Sequence, residues 1–347
     1  MKTAKPLFSL ISLLILLTGC SKPFYLSKLA WHQSFITYHS VPVEEILEDR
    51  NTSIERKEKI GLIQEVKSYG EERIGLKRTK SYSKFFEDKG PILYVVTACE
   101  KDRLRLHTWK FPIVGRVTYK SFFTKEGVLK EKRFLEKEGL DTFIQQAGAY
   151  STLGKLRDPI FSSMLQWDDV TLVNLILHET THATVYLKGE TDFNEQLATF
   201  IGNRGAIDFL IQKYGMGSGE VAHAIRIQED DLLFSGWINR ACQRLSDYYA
   251  KEISQEEKLI GREEIFRSIQ EEFKEIRVQF KTDCYKDFEK RELNNAVLLA
   301  CRRYIRRLEK FDALYERMGK DLRKVVEYFK KIKASGKEKS ELESFLE

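Results

Sequence analysis

His178 and His182 stand four positions apart in Leu177-His178-Glu179-Thr180-Thr181-His182, with Glu179 directly after the first histidine. On a helix, that spacing puts both imidazoles on one face, where they can reach a single metal ion. Glu179 points about 100° round from His178, so it can address a water beside the metal without ligating. A metal that acidifies water and a carboxylate that accepts its proton together make a hydrolytic centre. Chance produces this pattern in a chain of this length about 1% of the time. The chain has only six histidines, so their clustering carries weight.

A catalytic metal of this kind needs a third protein ligand. Glu195 lies thirteen residues after His182 and opens the next expected helix, Phe193–Tyr214. Gly189 lets the chain turn, so this helix can run back beside the first. A local reading competes: Asp192 as N-cap with Glu195 three residues on has the spacing of a capping box. Spacing leaves both open. No third histidine follows at the short distance of the metzincin pattern, which favours a glutamate-ligand class. Tyr186 and Tyr150 are candidates to stabilise an oxyanion, and packing is the alternative for Tyr186. Asn194 and Thr199 could orient ligands. His223 fits a structural role.

Several short motifs occur in a fixed order. They are Trp109-Lys-Phe-Pro112 with Gly115 and Tyr119, then Ala149-Tyr150-Ser151-Thr152-Leu153-Gly154, then Asp158-Pro159. The histidine motif and Tyr186-x-Lys188-Gly189-x-Thr191-x-Phe193-Asn194-Glu195 with Ala198 follow. In these the chain resembles a bacterial family of predicted aminopeptidases, regarded as zinc lipoproteins. The resemblance covers roughly residues 20 to 210. It implies a zincin-like core with Zn2+ as cofactor, held by His178, His182 and Glu195, with Glu179 as catalytic base. It also implies an aminopeptidase acting on a peptide or protein substrate. The residues alone leave open a zinc endopeptidase, or a surface lipoprotein that binds metal without catalysis. The Gly-x-Met-Glu-Asn signature of one aminopeptidase group is absent.

The elements around the motif follow from pattern. Thr171 to Lys188 reads as a helix anchored by Val173, Leu175, Ile176 and Leu177. Upstream, Pro42 opens a helix with Glu44 and Glu45 in its first turn, and Thr52 to Glu72 is a second. Ile92 to Cys99 is β-branched and aromatic, a buried strand. Weaker strands are expected near Leu104 to Trp109, Pro112 to Tyr119 and Thr142 to Tyr150, with a helix from Lys125 to Glu138. Beyond Gly219 the stretches Glu220–Ile253, Arg262–Phe288, Glu292–Met318 and Leu322–Ala334 read as packing helices. The expected fold is α+β, predominantly helical, with a small mixed sheet and a C-terminal helical bundle. The expected organisation is a signal at 1–19, a tether and helices at 20–90, a metallopeptidase core at 91–215 and a helical region at 216–347.

The N-terminus is distinct. Lys2 and Lys5 precede an apolar run from Leu7 to Leu17, ending in Leu17-Thr18-Gly19-Cys20. The run is short for a span and has the form of a secretory signal. Its ending resembles a bacterial lipobox, which implies cleavage before Cys20, acylation there and a membrane-anchored lipoprotein of the cell envelope, outside the cytoplasm. Removing the signal takes two lysines, so the net charge of +6 becomes 56 minus 52, or +4. Charges of both signs are interleaved, with no basic stripe, so no nucleic-acid partner is expected. Cys99, Cys242, Cys284 and Cys301 are sparse, and free thiols or at most one bridge are expected. No second apolar run spans a membrane, which rejects a membrane-integral protease.

Overall fold

The computed structural model describes residues 21–111, 114–335 and 338–346. The expected signal and Cys20 lie outside these residues, as does Pro112. The chain divides into two units, the first reaching Ser40 and the second beginning at Val41. The first unit carries helix α1, Ser21–His39. In the second unit the N-terminal elements are β1 (Val41–Pro42), α2 (Val43–Glu48), α3 (Ile54–Tyr69), a π turn at Gly70–Ile74, β2 (Lys84–Phe86) and β3 (Leu93–Cys99). Then come β4 (Trp109–Phe111), β5 (Gly115–Val117), β6 (Lys120–Phe122), α4 (Lys125–Lys137), β7 (Asp141–Ala147) and β8 (Ile160–Phe161). The helical remainder is α5 (Asp169–Thr184), α6 (Thr191–Tyr214), α7 (Gly219–Tyr249), α8 (Gln255–Ile276), α9 (Asn295–Ile305), α10 (Leu308–Arg317), α11 (Leu322–Ala334) and α12 (Glu338–Leu346). The fold is therefore α+β and predominantly helical, with a mixed strand complement.

Three small sheets are formed. β3 lies between β6 and β7, antiparallel to both, with Tyr94 opposite Phe122 and Cys99 opposite Asp141. β2 pairs antiparallel with β1 and parallel with β8, and β4 with β5 is a hairpin. Alternation puts Val96 and Ala98 under α4, where Val128 and Leu135 complete a small core. Of the weak strand expected at Leu104 to Trp109, only a bridge from Leu106 to Cys99 and the first residue of β4 form.

α5 starts two residues before the sequence pattern suggests, because Asp168 caps it, accepting from the Thr171 amide at 2.9 Å. It stops at Thr184, four residues short of Lys188, where Val185 turns extended. Leu172, Val173, Ile176 and Leu177 are fully buried on it. Thr180, Thr181 and Thr184 are buried too, since each hydroxyl donates to the carbonyl four residues back. α6 is capped by Glu190 without a side-chain bond, so Asp192 sits inside the first turn and is not the cap. The stretch from Glu292 to Met318 breaks at Arg306-Arg307 into α9 and α10. The long helix expected from Arg262 runs only to Ile276 and gives way to short 3-10 turns. The four described cysteines are free.

α5 and α6 pack closely, because α6 offers Gly202 where they meet. A Cβ there would stand 2.9 Å from Asn174 Oδ1 and 3.1 Å from the Asn174 carbonyl. Beside this contact Asn174 donates to Asn203, Asn203 donates to Asp231 of α7 at 2.8 Å, and Tyr285 donates to Asp231 at 2.6 Å. Burial pushes the Asp231 carboxyl up to about 6, against the two donors and with the help of Asp230. A carboxyl raised in the native state stabilises below its unfolded value of about 4 and loses that contribution as pH rises through the native value. We expect this group to cost about 1–2 kcal/mol between pH 4 and 7. Asp231→Asn should flatten that slope in denaturant unfolding. An unchanged slope would refute the assignment.

Candidate metal centre

Three side chains converge where α5 meets the start of α6. His178 Nε2 lies 3.2 Å from His182 Nε2, and Glu195 Oε2 lies 3.4 Å from each. The three form the group among the described residues able to hold a metal ion together. The helix spacing predicted for the histidines holds, with the rings edge to face at 4.8 Å. Glu195 is buried and turned to the histidines, so the capping box does not form.

The turn between the helices is fixed by Asn194. Its side chain accepts from the Leu187 amide and donates to the Leu187 carbonyl, both at 2.8 Å. This clamp closes the loop one residue before Glu195, so Asn194 positions Glu195 through the backbone. The β4–β5 hairpin packs on the same turn. Gly115, at φ +82°, lies so close that a Cβ would meet Lys188 Cγ at 2.8 Å and the Gly189 amide nitrogen at 3.2 Å.

Just past that hairpin, Tyr119 donates its hydroxyl to Glu195 Oε1 at 3.2 Å. Each oxygen of Glu195 thus has its own task, one toward the histidines and one toward Tyr119. Burial works to raise the Glu195 carboxyl, but the charges and hydrogen bonds of His182 and His178 outweigh it and hold it far below the usual range. Burial alone would lower His182, whereas Glu195 raises it. Burial, reinforced by the Glu195 charge, keeps the Tyr119 hydroxyl well above its ordinary value and so protonated. His182 Nδ1 is buried with no hydrogen-bond partner among the described residues.

Glu179 is half-buried beside this cluster. Burial raises its carboxyl, with the two histidines opposing and Glu195 and Asp158 adding to the shift. Asp158 accepts from Ser81 at 3.3 Å and the Thr152 amide at 3.0 Å, while its other oxygen is buried with no hydrogen-bond partner among the described residues. Tyr186 has left the helix; burial and then Glu195 push its hydroxyl up to about 12. Tyr150 stands in ring contact with Phe123 and Phe161, each at 5.8 Å. Thr199 lies on α6, and His223 is on α7.

Two neighbours come from α9, which the sequence pattern reads as packing. The Tyr304 ring lies 6.4 Å from that of His178, and burial, then Glu195, raises its hydroxyl, with Glu179 adding to the effect. Arg303 is fully buried over the Tyr119 ring at 5.2 Å, donates to Thr97 and the Thr118 carbonyl at 3.2 Å each, and stands 3.7 Å from Asp192. Its Nε and Nη1 lack hydrogen-bond partners among the described residues. Tyr119 had a signal in the motif order; Tyr304 had none, because a tyrosine in a Leu- and Arg-rich helix carries no spacing that points elsewhere.

A predominantly helical α+β fold that gathers two imidazoles and a carboxylate, with a second carboxylate alongside, defines a protein with a candidate metal centre and a candidate base. The chain belongs to the family described as "Putative aminopeptidase", whose sequence model matches residues 24–343. Membership supports peptidase activity in general terms, and the match runs past residue 210 through α9 to α11. No curated protein and no solved structure matches the chain. Tyr119→Phe removes a hydrogen bond to Glu195 and is expected to weaken metal binding about 10–100-fold. Competition with a chelating dye reads this directly, and unchanged affinity would show that Tyr119 does not support the ligand.

Proposed function

We propose that the chain is a zinc-dependent aminopeptidase of the bacterial cell envelope, zincin-like in its core and anchored through an acylated Cys20. The triangle of donor atoms carries the metal part of this reading. Zinc bound tetrahedrally at about 2.0–2.2 Å would set its ligand atoms about 3.3–3.6 Å apart. The distances of 3.2, 3.4 and 3.4 Å fit that edge. Two imidazoles and one carboxylate are also a donor set of catalytic zinc sites that leave a position open. When bound, zinc would polarise the scissile carbonyl and make a water acidic enough to attack it.

The residues supply the rest. His178, His182 and Glu195 hold the metal, and Tyr119 keeps Glu195 in place. Glu179 accepts the proton of the attacking water and passes it to the leaving amine. Its burial and raised carboxyl suit a base that must hold a proton for a time and then release it. Tyr304 and Tyr186 stay protonated near neutrality, so each can donate to the developing oxyanion. The intact base speaks against a purely structural metal site, which has no use for one. Family membership supports cleavage from a free N-terminus, and an endopeptidase is the alternative.

Glu179→Gln is expected to keep stoichiometric zinc and lose hydrolysis. The wild-type protein should cleave peptides with free N-termini and leave their acetylated counterparts intact. Full activity in Glu179→Gln would overturn the mechanism, and equal cleavage of both peptides would move the assignment to an endopeptidase. Tyr304→Phe should keep zinc and lower kcat about 10–100-fold with little change in KM. A changed KM with constant kcat would make Tyr304 a binding residue.

A further inference from the structure

Among the described residues, Arg303 is the largest fully buried side chain. A guanidinium in such a place is costly unless its hydrogen bonds are made. Only Nη2 makes them, to Thr97 Oγ1 and the Thr118 carbonyl. Nε and Nη1 have no hydrogen-bond partner among the described residues. Packing alone would be served as well or better by an apolar side chain of similar volume. The charge therefore needs another reason, and its neighbours supply one.

Arg303 meets Tyr119 twice. Through the Thr118 carbonyl it holds the backbone one residue before Tyr119. Its guanidinium also lies 5.2 Å from the centroid of the Tyr119 ring, which attracts a cation over its face. Arg303 is in turn tied to α6 twice. Gln196 donates to its carbonyl at 3.1 Å, and Asp192 Oδ1 stands 3.7 Å from its Nε. Asp192 and Gln196 flank Glu195 within about one turn of the same helix. The contacts close a ring: Glu195 to Tyr119, Tyr119 to Arg303, and Arg303 back to the turn that carries Glu195.

Nothing intrinsic fixes the Glu195 carboxylate, because the last torsion of a glutamate has only a broad, two-fold preference. Turned freely, it could offer both oxygens to one metal ion. In the structure Oε1 accepts from the Tyr119 hydroxyl at 3.2 Å, while Oε2 lies 3.4 Å from each imidazole nitrogen. We infer that Arg303 is a positioning residue: by holding Tyr119 on Oε1, it restricts Glu195 to ligation through one oxygen and keeps the fourth coordination position of the metal free. The inference rests on the metal-centre reading, and extends it from the ligands to the residue that sets how one of them binds. A catalytic zinc takes up water or substrate at its fourth position, so a two-oxygen Glu195 would compete for the place of reaction.

The test titrates Co2+ into the metal-free protein and follows its visible absorption, which is intense for four-coordinate Co2+ and much weaker at higher coordination. The wild type should bind one equivalent in the intense form. Arg303→Met removes the charge, and Tyr119→Phe removes the hydroxyl but keeps the ring. Both should shift the spectrum to the weaker form and lower Co2+ affinity about tenfold or more. In the Tyr119→Phe background, Arg303→Met should cost less than about twofold further, because both act through one hydrogen bond. An Arg303 that only supports the fold would lower thermal stability and leave the spectrum intense, or would add its full effect to that of Tyr119→Phe. Either result rejects the inference. Should Arg303→Met fail to fold, Asp192→Asn takes its place, since that side chain is partly exposed. It should shift the spectrum in the same direction, and an unchanged spectrum there is equally fatal. A wild type that binds neither Co2+ nor Zn2+ removes the metal centre and the inference with it. One that binds a full equivalent already in the weak form removes the inference alone.

Discussion

Bringing two imidazoles and a carboxylate within 3.4 Å of one another in a buried place is the constraint on which this fold turns. Such a cluster has no reason to persist unless something rigid holds each member, because desolvation penalises charge there. α5 fixes the histidines with a buried apolar face and with threonines that satisfy their own hydroxyls. α6 fixes Glu195 by starting at a clamped turn. The two helices come close because Gly202 leaves the Asn174 backbone uncovered. Tyr119 and Arg303 then fill the far side of Glu195, one donating to it and the other placing a buried cation behind the donor.

Much of this was legible in the chain. The four-residue spacing of His178 and His182 predicts a shared helical face, and helical geometry delivers it. Spacing leaves ligand and capping box open for Glu195, and in the structure its carboxylate faces the histidines and no capping bond forms. The N-cap shifts to Glu190 and leaves Asp192 beside Arg303. Helix ends were less readable, because they depend on single events such as the Asp168 cap or the extended Val185. Short strands were also hard to place. At three residues, β4 and β5 are set by hairpin closure against the interhelical turn more than by their own composition.

The C-terminal helices read as packing, and each from α7 to α11 buries one apolar side. α9 departs from that role in two adjacent residues. Arg303 is buried at the sheet, and Tyr304 faces His178. Neither position has a sequence signature, since each is defined by which distant element lies opposite. Sequence periodicity reports that a helix has a buried side. It does not report what that side is buried against.

The placement of α9 also bears on modularity. The histidine motif and Glu195 fall within 18 consecutive residues, which invites treating the centre as a portable cassette. Yet Tyr119 comes from 76 positions before Glu195, and Arg303 and Tyr304 follow it by more than 100. A chain cut after α6 would retain all three candidate ligands and lose part of the wall around them. The centre is thus an assembly of the whole second unit, and a graft of its motif onto another helix pair would carry the donors without their setting.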